Sequence, residues 1–207
     1  DKLRMLVLPK HFEYCEREPS CYPFPVIRRG DVSFKGMLGP YRGSAWTFDF
    51  TRFEPAYFQN IDRCVRELLQ LGVEADVILF HPYDCWGFCN MPADVEDRYV
   101  AYVVARLSAY RNVWWSLVNE WDLMANRTVE DWERYAGIIQ HRDPHDRMRS
   151  IHNCRPFYDH GRPWVTHCSI QASEMRVGEW LERYDKPVVV DELQYEGDVI
   201  QRWGNLN

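Results

Sequence analysis

Apolar positions along this 207-residue chain follow two alternating rhythms. Short unbroken apolar runs, too brief for helices, mark strands buried on both faces of a parallel sheet. Six such runs occur, at residues 2–9 (KLRMLVLP), 75–80 (ADVILF), 113–118 (VWWSLV), 148–152, 164–170 and 186–192 (KPVVVDE). Between them, apolar residues recur at helical spacing. Phe58, Ile61, Val65 and Leu68 precede Gly72; Val100, Val103, Val104 and Leu107 lie within 93–110; Trp132, Tyr135 and Ile139 follow a Thr128 cap; Val177, Trp180, Leu181 and Tyr184 form the last face. Thr51 and Glu54, followed by Pro55, have capping-box spacing for the first helix.

Strand and helix thus alternate, the pattern of a parallel α/β protein with right-handed crossovers. Only between the fourth and fifth runs is the connection too short for a crossover helix. A (β/α)8 barrel has eight strands and about 250 residues. The expectation is therefore an incomplete TIM barrel of six parallel strands, one domain over 1–207. Residues 10–50 stand apart, with Pro and Gly scattered through them and no sustained period. A loop of that length is expected to line a cleft or to act as a mobile lid.

The chemistry sits where the strands stop. The run VWWSLV ends in Asn119-Glu120-Trp121-Asp122, and KPVVVDE ends in Asp191-Glu192. In a parallel barrel the catalytic groups come from C-terminal strand ends, so Glu120 and Glu192 can face each other across one mouth. Two such carboxylates can serve as acid/base and nucleophile in glycoside cleavage when their environments set their pKa values apart. Each is also compatible with an exposed loop residue that happens to follow a strand, and the spacing alone does not favour the functional reading. Asn119 can bond a sugar hydroxyl or close an Asx turn, and Arg4, in the first run, can hold a carboxylate ionised.

His11, His81, His152 and His167 fall at or beyond strand ends and are expected to converge at the mouth. They contact sugar hydroxyls or the carboxylates in this reading. Metal ligation is the lesser alternative, because no HxH or HExxH spacing occurs. Trp86, Trp121, Tyr195 and Trp203 offer ring faces for sugars, or simply pack. Tyr83 and Gln171, just past the second and fifth runs, complete the candidate substrate contacts.

Composition narrows the picture slightly. The net charge of −6 leaves no basic surplus for nucleic acid. No run approaches the ~20 apolar residues of a membrane span. Aromatics at 15%, with nine Trp and twelve Tyr, suit a sugar-binding cleft or a ring-rich core. Seven Cys form no regular framework and weakly favour a reducing, cytoplasmic setting. Cys85 and Cys89 lack the nearby ligands that a metal site needs, so no metal and no cofactor is expected.

A strand ending in Asn-Glu and a later strand ending in Glu, within this alternation, resemble the retaining glycoside hydrolases of clan A. The stretches LVLPKHFEY, ILFHPYDCWGF, VWWSLVNEWDLM, RSIHNC, WVTHCSIQ and KPVVVDELQYEG are similar to cellulase-like barrel domains of bacterial proteins, apiosidase-like hydrolases among them. The resemblance implies a carbohydrate substrate, Glu120 as acid/base on the fourth strand and Glu192 as nucleophile on the seventh. Asn119 becomes the hydroxyl contact, and Arg4 matches an arginine of the second strand. By that count the first and eighth strands are missing, and the chain is expected to be a piece of a larger hydrolase. The two open strand edges invite pairing with a second copy of the chain. A carbohydrate-binding fragment without activity, and less so a metal-dependent hydrolase, are the competing readings.

Overall fold

The computed structural model describes residues 1–11, 18–30 and 45–193. Tyr195 and Trp203 lie outside them. Strand β1 (Lys2–Leu6) pairs with β4 (Glu74–Phe80), β4 with β5 (Val113–Val118), and β5 with β6 (Arg149–Ser150), all parallel. A parallel pair, β7 (Cys168–Gln171) and β8 (Val188–Glu192), follows. The isolated parallel bridge His152–Ser169 links it to β6. These six strands are the six that the apolar runs predict, and they form part of a barrel wall. Among the described residues β1 pairs only with β4, and β8 only with β7.

Helices α1 (Pro55–Gln70), α2 (Ala93–Leu107), α3 (Val129–Arg142) and α4 (Val177–Tyr184) provide the crossovers. None joins β6 to β7. No helix of the described residues is long and apolar enough to cross a membrane. The capping box expected at Thr51 is absent. Glu54 is the N-cap of α1 with Pro55 at the first turn, while the Thr51 amide and hydroxyl both donate to Asp49. A true capping box opens α3, where Thr128 and Asp131 bond each other's backbone N–H.

The end of α1 shows how one glycine sets the entry into the sheet. Gly72 N–H donates to Leu69 O and Val73 N–H to Leu68 O, a Schellman pair that turns the chain straight into β4. Gly72 takes a φ of +72°, and a Cβ there would meet nothing within 4 Å. The cost of a side chain is thus backbone strain alone. Gly72→Ala is expected to lower stability by about 1 kcal/mol, read as a drop in thermal unfolding temperature.

Two apolar clusters hold the fold. The larger packs Phe58, Tyr99, Trp132 and Tyr135 of the helices on Val77, Leu79, Trp115 and Leu117 of the strands. The smaller unites Cys168, Ile170, Trp180 and Tyr184 around β7, β8 and α4. The segment 10–50, expected to line a cleft or act as a lid, lies partly outside the described residues, and its described parts carry structure of their own. They contain an antiparallel pair, β2 (Val26–Arg28) with β3 (Thr47–Phe48), and bury Tyr22, Phe24, Trp46 and Phe48 in the main cluster.

Candidate active site

Glu120 follows β5 and is almost completely buried. Its backbone is left-handed, φ 57° and ψ 65°, a conformation that costs a non-glycine residue about 1–2 kcal/mol and that clusters at functional sites. The turn Trp121–Leu123 begins immediately after it. Three side chains meet the carboxylate. Tyr83 donates its phenol proton to Oε2, the Asn119 amide nitrogen reaches Oε2 at 3.3 Å, and Gln171 is the third. In the orientation that satisfies both ends of its amide, Gln171 donates to Glu120 Oε1 at 3.2 Å and to Asn153 O at 3.0 Å.

Glu192 ends β8, and its environment is different. Arg4 forks between Glu192 and Asn119: one guanidinium nitrogen lies 3.1 Å from Glu192 Oε1, the other 2.8 Å from Asn119 Oδ1. Glu192, Arg4, Asn119 and Glu120 are therefore one connected cluster, built from β1, β5 and β8. Burial raises the Glu120 pKa to about 7, and the nearby Glu192 charge adds to the rise. One carboxyl thus titrates near neutrality while its neighbour sits against a guanidinium.

His152 Nε2 lies 3.6 Å from Glu192 Oε1 and its Nδ1 3.1 Å from Ser169 Oγ. Burial, reinforced by the Arg4 charge, pushes its pKa down to about 3, so it is a neutral ring. Ser169 in turn donates to Asp191. Below the carboxylates, Lys2 bridges Asp76, at 2.8 Å, and Asp191. Burial pushes both acids up; at Asp76 it prevails, whereas the Arg4 and Lys2 charges bring Asp191 below its usual value. This buried ionic layer seats Arg4, whose Nε lies 3.7 Å from Asp76.

The structure thus brings together Arg4, Tyr83, Asn119, Glu120, His152, Gln171 and Glu192. It separates others expected at the mouth. The four histidines do not converge. His167 precedes β7 and lies edge-on to Trp114, 5.3 Å between centroids, near the opposite strand ends. His81 is buried, with Nε2 3.2 Å from Leu8 O and Nδ1 accepting the Tyr83 N–H at 3.1 Å. It braces the turn that presents Tyr83. His11 is buried edge-on to Trp86, 6.3 Å between centroids. Trp86 is itself buried, donating to Glu18 and packing on Tyr22, so its ring offers no face to a sugar. Trp121 keeps partial exposure, its indole N–H bonded to Pro156 O.

Sequence reasoning missed Cys154, whose thiol is pushed up to about 11 by burial and the Glu120 charge. A lone cysteine after a short strand carries no signal that would place it there. Among the described residues no group of three potential ligands is disposed to hold a metal ion.

Comparison with known proteins adds independent information. A family model described as the apiosidase-like catalytic domain matches residues 30–206. No curated protein matches the chain. Among solved structures, a Bacteroides vulgatus ATCC 8482 protein assigned as a glycoside hydrolase shares 38% identity over 100% of this chain, with a TM-score of 0.88. The chain spans 40% of the length of that protein. A glycoside hydrolase family 5 structure from the same organism aligns over 68% of this chain and 35% of its own length, at 17% identity and a TM-score of 0.54, a likeness of fold alone.

Proposed function

The chain belongs to the apiosidase-like catalytic-domain family, and from that premise we propose that it carries the catalytic centre of a retaining glycoside hydrolase acting on a plant or microbial poly- or oligosaccharide. Glu120 is the acid/base and Glu192 the nucleophile. The observation that carries this reading is the single cluster in which Arg4 touches both Glu192 and the Asn119 that contacts Glu120.

In the first step a Glu192 oxygen attacks the anomeric carbon, the bond to the leaving oxygen breaks, and Glu120 gives that oxygen its proton. In the second, water attacks the same carbon, Glu120 takes the water's proton, and the bond to Glu192 breaks. A group that must hold a proton and later accept one works best with a pKa near ambient pH, which the burial of Glu120 supplies. Arg4 holds Glu192 by a charge-assisted hydrogen bond before attack and after release. Asn119, with its amide nitrogen already turned toward Glu120, is placed to meet the hydroxyl beside the reacting carbon.

The reading is tested by the configuration of the first-formed sugar, followed by NMR during hydrolysis of an aryl glycoside chosen from a panel. Retention at the anomeric carbon is the expected result. Inversion would require a separation of about 6.5–9.5 Å with water between the carboxyls, and would remove Glu192 as nucleophile.

A further inference from the structure

We propose that Asp122 is a positioning residue for Glu120: it ties the turn after β5 to the chain after β6 and thereby holds the acid/base in its left-handed conformation. The inference rests on the reading of Glu120 as the acid/base given above. Asp122 lies two residues beyond Glu120, and its carboxylate turns toward the neighbouring loop. Oδ1 accepts the Cys154 N–H at 2.6 Å and Oδ2 the Arg155 N–H at 3.1 Å. Two successive backbone N–H groups converging on one carboxylate form an anion nest, which a neutral side chain fills poorly.

The adjoining residue reinforces the tie. Trp121 N–H donates to His152 O at 2.9 Å, and its indole donates to Pro156 O at 3.2 Å. Residues 121 and 122 are therefore fastened to 152–156 at four points, immediately past the residue with φ 57°. A left-handed residue that is not glycine persists only where its surroundings over-determine it. Here the fastening lies on the C-terminal side of Glu120, while Asn119 N–H donates to Phe80 O at 2.9 Å on the other. The same clamp fixes the backbone of Cys154.

A merely structural Asp122 would, on removal, slow all substrates alike. A positioning role predicts a dependence on the leaving group. In the full-length enzyme, Asp122→Ala should lower kcat/KM for a 4-nitrophenyl glycoside by about 100-fold, the scale of a 1 Å misplacement. The matching 2,4-dinitrophenyl glycoside, whose leaving group needs little protonation, should lose no more than a few-fold. Asp122→Asn, which keeps the volume and one accepting oxygen, should fall between Ala and wild type, and it serves if the Ala variant does not fold. Equal losses on both substrates would overturn the proposal, provided that Glu120→Ala shows the leaving-group dependence. If Glu120→Ala lacks it, the acid/base reading fails instead. A crystal structure of either Asp122 variant gives a readout free of kinetics. Glu120 should leave the left-handed region, and an unchanged φ would also overturn the clamp.

Discussion

Replacing Glu192 by Ala is expected to reduce turnover by about 10⁶-fold, the scale on which loss of a nucleophile acts in a hydrolase whose groups work as a unit. Added azide or formate should restore part of it. The reason is local: Arg4, 3.1 Å from Glu192 Oε1 in the intact site, would remain as a cation facing the vacated space, ready to receive a small anion. That anion attacks from the nucleophile's side and departs with the sugar, so the rescued product should have the inverted configuration. Chromatographic rate measurement and NMR of the azide adduct check both parts. Turnover within tenfold of wild type, or a rescued product of retained configuration, would sink the assignment of Glu192.

Glu120→Ala should show a different pattern. General acid catalysis contributes about 10²–10⁴-fold, so kcat/KM for a poorly activated aryl glycoside should fall by that order while a dinitrophenyl substrate is nearly spared. The pH profile supplies the sign. In the proposed mechanism Glu120 acts in its protonated form in the first step, and burial together with the Glu192 charge raises its pKa to about 7. In the wild type kcat/KM should accordingly decline as pH rises through about 7, and in the Ala variant that alkaline limb should vanish. A limb unchanged in the variant would assign the titration to another group.

Much of this site was readable from strand endings. The six-residue apolar run of β5 and the Val-rich β8 announce buried strands, and a carboxylate at the end of each is conspicuous because it breaks off a continuous apolar run. Arg4 was legible for the converse reason, as a charge inside an apolar run. The histidines were not. The run 164–170 looks like one strand, but Trp164 and Val165 are buried in a turn and β7 starts only at Cys168. Apolarity reports burial, not extension, so His167 was assigned to the wrong end. Trp86 illustrates the same limit: a ring beside polar neighbours reads identically whether it faces a cleft or a core. The β2–β3 pair left no period to detect, because strands of three and two residues are too short for the two-residue alternation to recur. Asp122 was visible only as one more acid, since its partners are backbone N–H groups some thirty residues on.

The two apolar clusters bear on the energetics of the proposed reaction. Glu120 is attached to the larger, whereas Glu192 rides on the smaller assembly of β7, β8 and α4, joined to the rest by one isolated bridge and by polar contacts. A sugar gripped by both glutamates would act as a further crosspiece between the parts that, among the described residues, carry these two separate clusters. Part of its binding energy would then be drawn into stiffening the wall itself, so the ligand that needs the aligned pair would also be what completes the alignment.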